Sequence, residues 1–121
     1  MTHVLIVDDS PTETHVLKDI LVKRGFEVSA ATNGEDGIEK AKETLPDVVL
    51  MDVVMPGLNG FQATRQLRKD PKTEHIPVII VTTKDQATDK MWGMRQGASD
   101  YLTKPVDPQN LVNTINSVLN T

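Results

Sequence analysis

Short apolar runs that stop at polar or charged residues organise this chain. Val4–Val7 ends at Asp8-Asp9, Val48–Met51 at Asp52, Val78–Val81 at Thr82-Thr83, and Tyr101-Leu102-Thr103 at Lys104-Pro105. The first three are uninterrupted and rich in β-branched side chains, the pattern of strands buried on both faces. Phe26–Ala31 alternates instead and predicts a more exposed edge strand. Between the runs the apolar period changes to that of a helix. Ser10-Pro11-Thr12-Glu13 supplies a capping serine, proline at the first helical position and a glutamate three residues after the cap. The helix it starts carries Val16, Leu17, Ile20 and Leu21 on one face and stops at Gly25. Asn33-Gly34 opens a second helix with Ile38, Ala41 and Leu45 inward. A third runs from Gly60 to Lys69 with Phe61 and Leu67 inward, and a fourth from about Gln86 to Gln96 closes at Gly97. Asp107-Pro108 starts the last, where Leu111, Val112, Ile115, Val118 and Leu119 keep a 3.6-residue stripe. Five strands alternating with five helices predict a parallel, doubly wound α/β sheet covered on both faces, with right-handed crossovers.

The stretch from Pro46 to Gly60 is the most informative. A carboxylate is not stabilised inside an apolar strand, so Asp52 marks the strand's end. Pro56 cannot donate to a ladder and Gly57 tolerates positive φ, so the chain leaves the sheet there as a tight loop before the helix at Gly60. Asp52 thus belongs at the carboxyl end of a central parallel strand, where open α/β sheets place their ligands.

Strands that end together bring Asp8, Asp9, Asp52, Thr82 and Lys104 to one rim. Three close carboxylates repel one another unless a cation joins them. All-oxygen ligands favour Mg²⁺, with Mn²⁺ as a substitute, over zinc. A hydroxyl and a lysine on the same rim offer a hydrogen-bond donor and a compact positive charge to a phosphoryl group. Any one of these residues alone reads as a helix cap or a solvated side chain. Five together at strand ends, with the lysine followed by proline, favour a site.

At these residues the chain resembles a response-regulator receiver domain over its whole length, similar to the chemotaxis protein CheY, a standard example of the flavodoxin-like fold. The matching motifs are Val-Asp-Asp-Ser at 7–10, Met-Asp-Val-Val-Met-Pro-Gly at 51–57, Val-Thr-Thr at 81–83 and Gly-Ala-Ser-Asp-Tyr-Leu-Thr-Lys-Pro at 97–105. The wording around Pro-Gly-Leu-Asn-Gly-Phe-Gln-Ala-Thr-Arg most resembles PilH-type regulators of twitching motility. The resemblance implies a five-stranded sheet of order 2-1-3-4-5 and a phosphorylation-dependent switch that takes phosphate from a CheA-like histidine kinase on Asp52. It implies Mg²⁺ held by Asp8, Asp9, Asp52 and the backbone carbonyl of Val54, and Thr82 and Lys104 as partners of the phosphoryl group. Thr82 and Tyr101 would form the conformational switch. The output surface would include Trp92 and Tyr101, and the pathway would control type IV pilus twitching or phototaxis. Val54 and Lys84 stand where the chemotaxis relative has an amide and an acid, which implies slow self-dephosphorylation.

Two other readings remain open: a phosphate sink that drains the kinase, and a Mg²⁺-dependent phosphohydrolase. The hydrolase reading needs a general acid two residues after its nucleophile, and Val54 cannot donate a proton. Composition narrows the rest. At 121 residues the chain is expected to be a single receiver domain, residues 1–121, without an attached output domain. A net charge of −4 argues against a nucleic-acid footprint. The absence of cysteine excludes a disulfide framework. No apolar run approaches a membrane span, and a cytoplasmic monomer is expected. His3, His15 and His75 lack metal-ligand spacing. Met91, Trp92 and Met94 span nearly a full helical turn, so at least one is expected to face solvent and be available to a partner.

Overall fold

A computed structural model of the chain describes residues 1–120. Strands and helices alternate without exception: β1 (His3–Val7), α1 (Pro11–Val22), β2 (Glu27–Ala31), α2 (Gly34–Thr44), β3 (Val48–Met51), α3 (Gly60–Lys69), β4 (Val78–Thr82), α4 (Ala87–Arg95), β5 (Asp100–Thr103) and α5 (Pro108–Leu119). The five strands form one parallel sheet of order β2-β1-β3-β4-β5. The alternating run Phe26–Ala31 therefore supplies an edge strand, β2, and the uninterrupted runs supply the three central ones.

Because successive strand residues point to opposite faces, each central strand feeds two cores. Leu5, Val7, Val49, Met51 and Val78 pack with Ile38 and Ala41 of α2 and Ala63 and Leu67 of α3. Val4, Ile6, Val48, Leu50, Ile79 and Val81 pack with Leu17 and Leu21 of α1 and Leu111 and Ile115 of α5. Each fully buried Val, Leu, Ile or Met among them contributes roughly 1.5–3 kcal/mol of transfer free energy. A smaller cluster of Val53, Ile80, Ala98 and Tyr101, with Phe61 against it, lies near the carboxyl end of the sheet.

Caps fix where the helices begin. The Ser10 hydroxyl accepts from the Glu13 amide at 3.3 Å, and the Asn33 side chain from Asp36 at 2.8 Å. Asn59 and Gln62 exchange bonds reciprocally at 2.9 and 3.0 Å, and Asp107 accepts from Asn110 at 2.9 Å. Two residues expected on buried helix faces are exposed. Leu45 is the C-cap of α2 in the left-handed region at φ 46°, so the helix has ended before its side chain could turn inward. Val16 lies toward the solvent side of α1, where Leu17 and Leu21 alone are fully covered.

The register positions the rim. Val7 lies opposite Met51, so the next residues, Asp8 and Asp52, emerge side by side. Thr82 lies opposite Thr103, one residue before Lys104. Sheet-like bonds continue into these residues: the Asp52 amide donates to the Val7 carbonyl at 2.9 Å and the Lys104 amide to the Thr82 carbonyl at 2.8 Å.

Candidate functional site

Asp8, Asp9 and Asp52 gather at the carboxyl ends of β1 and β3, each offering a carboxylate oxygen within 4.8 Å of the others. Asp8 is buried and Asp9 exposed, while Asp52 is 9 % exposed. The Lys104 ammonium, itself nearly buried, lies 2.7 Å from Asp8 Oδ2, 3.6 Å from Asp52 Oδ2 and 3.7 Å from Glu13 Oε2. The other Asp8 oxygen accepts from the Ser10 amide at 2.9 Å, and Asp52 Oδ1 accepts from the Val53 amide at 2.8 Å.

The charges do not balance. Burial pushes the Asp52 carboxyl above its ordinary range, and the negative charge of Asp8 adds to this. Lys104, the Thr82 hydroxyl and the Val53 amide pull the other way without cancelling it. Lys104 goes the opposite way to a lone buried lysine: burial lowers its pKa, but its bond to Asp8 and the charges of Asp52, Asp8 and Glu13 raise it overall. One lysine among four carboxylates leaves the rim short of positive charge. That deficit, with an all-oxygen donor set, fits a hard divalent cation such as Mg²⁺.

The remaining sequence-predicted residues lie around this centre. Thr82 is fully buried beside Asp52, and its hydroxyl oxygen lies 3.4 Å from the Lys84 amide. Val54, in the loop after β3, exposes its side chain. Tyr101 and Trp92 differ in environment. Trp92 is 51 % exposed on α4, whereas Tyr101 is covered and donates its hydroxyl to the Lys84 carbonyl at 2.7 Å. Burial, with the charges of Asp89, Asp52 and Asp85, pushes the tyrosine up to about 12. The three histidines stay outside the site; His3 pairs with Ser29 at 2.7 Å at the far end of the sheet.

Three contributors do not emerge from the sequence reading. Glu13 looks like a capping residue only, yet its amide serves the cap while its carboxylate reaches Lys104. Its signal is its place in the first turn of a helix that starts from the rim. Gly60 reads only as the start of a helix, but a Cβ there would run into the Asp52 carbonyl oxygen. Only glycine lets α3 begin against the main chain of Asp52. The Lys84 main chain, bonded to both Thr82 and Tyr101, has no sequence signal because backbone partners carry none.

The response regulator receiver domain family matches residues 4–116. This chain is a response regulator receiver domain. It is 66 % identical over 119 residues to the protein PilH of Pseudomonas aeruginosa, covering 98 % of both chains. It is 39 % identical over 117 residues to the chemotaxis protein CheY of Thermotoga maritima, covering 95 % of each. A solved receiver domain of a sensor histidine kinase from Pseudomonas aeruginosa, with a magnesium ion coordinated in its active-site cleft, superposes with a TM-score of 0.92 at 27 % identity. The superposition covers 99 % of this chain and 98 % of that one. As a receiver domain the chain is a phosphoaccepting signalling protein whose partner is a histidine kinase, and its acidic triad is capable of binding Mg²⁺. Among the described residues no helix is long and apolar enough to cross a membrane.

Proposed function

We propose that Asp52 is the phosphoacceptor of a PilH-type switch serving type IV pilus twitching motility. The observation that carries this reading is the placement of one nearly buried carboxylate with Lys104 at 3.6 Å, Thr82 beside it and two further aspartates within 4.8 Å. Asp52 Oδ2 attacks the phosphorus of a phosphohistidine or acyl phosphate donor. The new P–O bond replaces the donor's P–N or P–O bond, and the leaving group takes the electron pair. Asp8, Asp9, Asp52 and the Val54 carbonyl would hold a Mg²⁺ ion, which would supply positive charge to offset that on the transferring oxygens. Lys104 then turns from Asp52 to the phosphoryl oxygens, and the Thr82 hydroxyl donates to them.

The rest of the chain supports a switch more than a hydrolase. Water attacking the acyl phosphate needs a group to orient it, and the exposed Val54 side chain has no hydrogen-bonding atom. Lys84 is turned toward Asp89, 3.8 Å away. The phosphorylated form is therefore long-lived, which suits sustained output through α4 and β5, with Tyr101 as the switch and Trp92 on the partner-binding surface, better than a phosphate sink.

Incubation with acetyl phosphate and Mg²⁺ followed by intact-protein mass measurement tests the assignment. The wild type gains one phosphoryl group and Asp52→Ala gains none. An Asp52→Ala variant labelled as strongly as the wild type refutes it.

A further inference from the structure

The Tyr101 ring lies beneath α4, opposite a glycine. On α4, Gly93 is the one residue that is fully buried, and it faces β4 and β5. A Cβ built there would lie 3.1 and 3.2 Å from the Tyr101 ring carbons Cδ2 and Cε2 and 2.8 Å from Ile80 Cδ1. Glycine inside a helix costs stability relative to alanine, so this position gives up helix propensity. What it gains is room for the aromatic ring. The two neighbours respond differently to a methyl group. Ile80 Cδ1 is the end of a flexible side chain and can rotate. The tyrosine ring is rigid, so any relief of its 3.1 and 3.2 Å contacts moves the ring as a whole.

We infer that Gly93 is the positioning residue of the switch: by leaving out a Cβ, it lets the Tyr101 ring lie beneath α4 with its hydroxyl on the Lys84 carbonyl. The consequence reaches Asp52 through bonds already described. Tyr101 holds the Lys84 carbonyl, the Lys84 amide lies 3.4 Å from the Thr82 hydroxyl oxygen, and Thr82 acts on Asp52. A side chain at position 93 that expels the ring releases Lys84 and loosens the loop leading from Thr82 into α4. The inference rests on the reading of Tyr101 as a switch only in its functional consequence. The placement of the ring stands on geometry alone.

Tyr101 is the sole tyrosine, so 3-fluorotyrosine gives one fluorine resonance. In the wild type that resonance is shielded from a soluble paramagnetic agent. In Gly93→Ala it moves toward the position of free fluorotyrosine and broadens when the agent is added. Adding Ile80→Val removes the nearest methyl contact, and the ring stays out. A resonance that remains buried in Gly93→Ala, or returns inward in the double variant, overturns the inference. Should Gly93→Ala alone not fold, Gly93→Ala with Tyr101→Ala keeps the test. With the ring absent, the nearest atom to the added methyl is the rotatable Ile80 Cδ1, and the melting temperature equals or exceeds that of Tyr101→Ala. A lower one overturns the inference. Steady-state labelling by acetyl phosphate separates this from the switch reading. By reciprocity, expelling a ring whose position is coupled to phosphorylation changes labelling about fivefold or more. An expelled ring with unchanged labelling refutes Tyr101 as the switch and leaves Gly93 as its seat.

Discussion

The body of the sheet and its carboxyl rim are built from the same strands for opposite ends. In β3 four consecutive residues, Val48 to Met51, are buried and apolar. One residue later Asp52 keeps a carboxylate nearly out of water, next to two others. The body is held together by apolar burial. The rim is held in an unfavourable charge state by the body beneath it, and relief comes from what binds there. The helices repeat the contrast. α5 buries Leu111, Thr114 and Ile115 against the sheet, whereas α4 buries only Gly93 and exposes Met91, Trp92 and Met94. A helix with so little apolar anchoring is the element that a change at the rim can move.

The contrast is broken most severely from below. Leu50→Ala, at a 1 % exposed position, removes side-chain volume that both β-neighbours and α5 enclose. It should cost about 2–5 kcal/mol by chemical denaturation. Val54→Ala, four residues on at the rim, should stay within about 0.5 kcal/mol of the wild type. Equal losses in the two variants would show that the rim is part of the stabilising core.

A smaller effect of opposite sign comes from the rim itself. Burial raises Asp52 above its ordinary value of 3.8 in the folded chain, so at neutral pH the folded state carries a carboxylate less readily than the unfolded state does. In chelator-treated protein, Asp52→Asn should therefore be more stable than the wild type at pH 7, with Lys104 keeping its 2.7 Å bond to Asp8. The margin shrinks as pH falls through the raised pKa of Asp52. It vanishes below 3.8, where folded and unfolded chains are both protonated. A variant less stable than the wild type at pH 7, or a margin that grows on acidification, would contradict the charge account.

Strands and rim were legible in the sequence for one physical reason. A strand buried on both faces must be an apolar run, so its end is visible wherever a charge appears, and parallel strands align those ends. Asp8, Asp9, Asp52 and Lys104 come together on that logic. Less legible was whatever depends on distance between elements. Leu45 fits the helical period but lies one residue past the helix, in a left-handed cap. Glu13 satisfies a capping pattern and at the same time reaches Lys104, and a pattern that already accounts for a residue conceals its second use. Gly60 and Gly93 matter for the atoms they lack, and the space left by a missing Cβ appears only once the neighbouring element is in place.

In the proposed switch a phosphoryl group at the rim reaches α4 and β5 by way of Thr82, Lys84 and Tyr101 and leaves β1 and β3 as they were. Hydrogen exchange read by mass spectrometry, with and without Mg²⁺ and beryllofluoride standing in for the phosphoryl group, tests it directly. Protection is expected to change across residues 82–95 and in β5, while β1, β3 and the Leu111–Ile115 segment of α5 keep theirs. Changes confined to α2 and α3, with residues 82–95 unaltered, would contradict it.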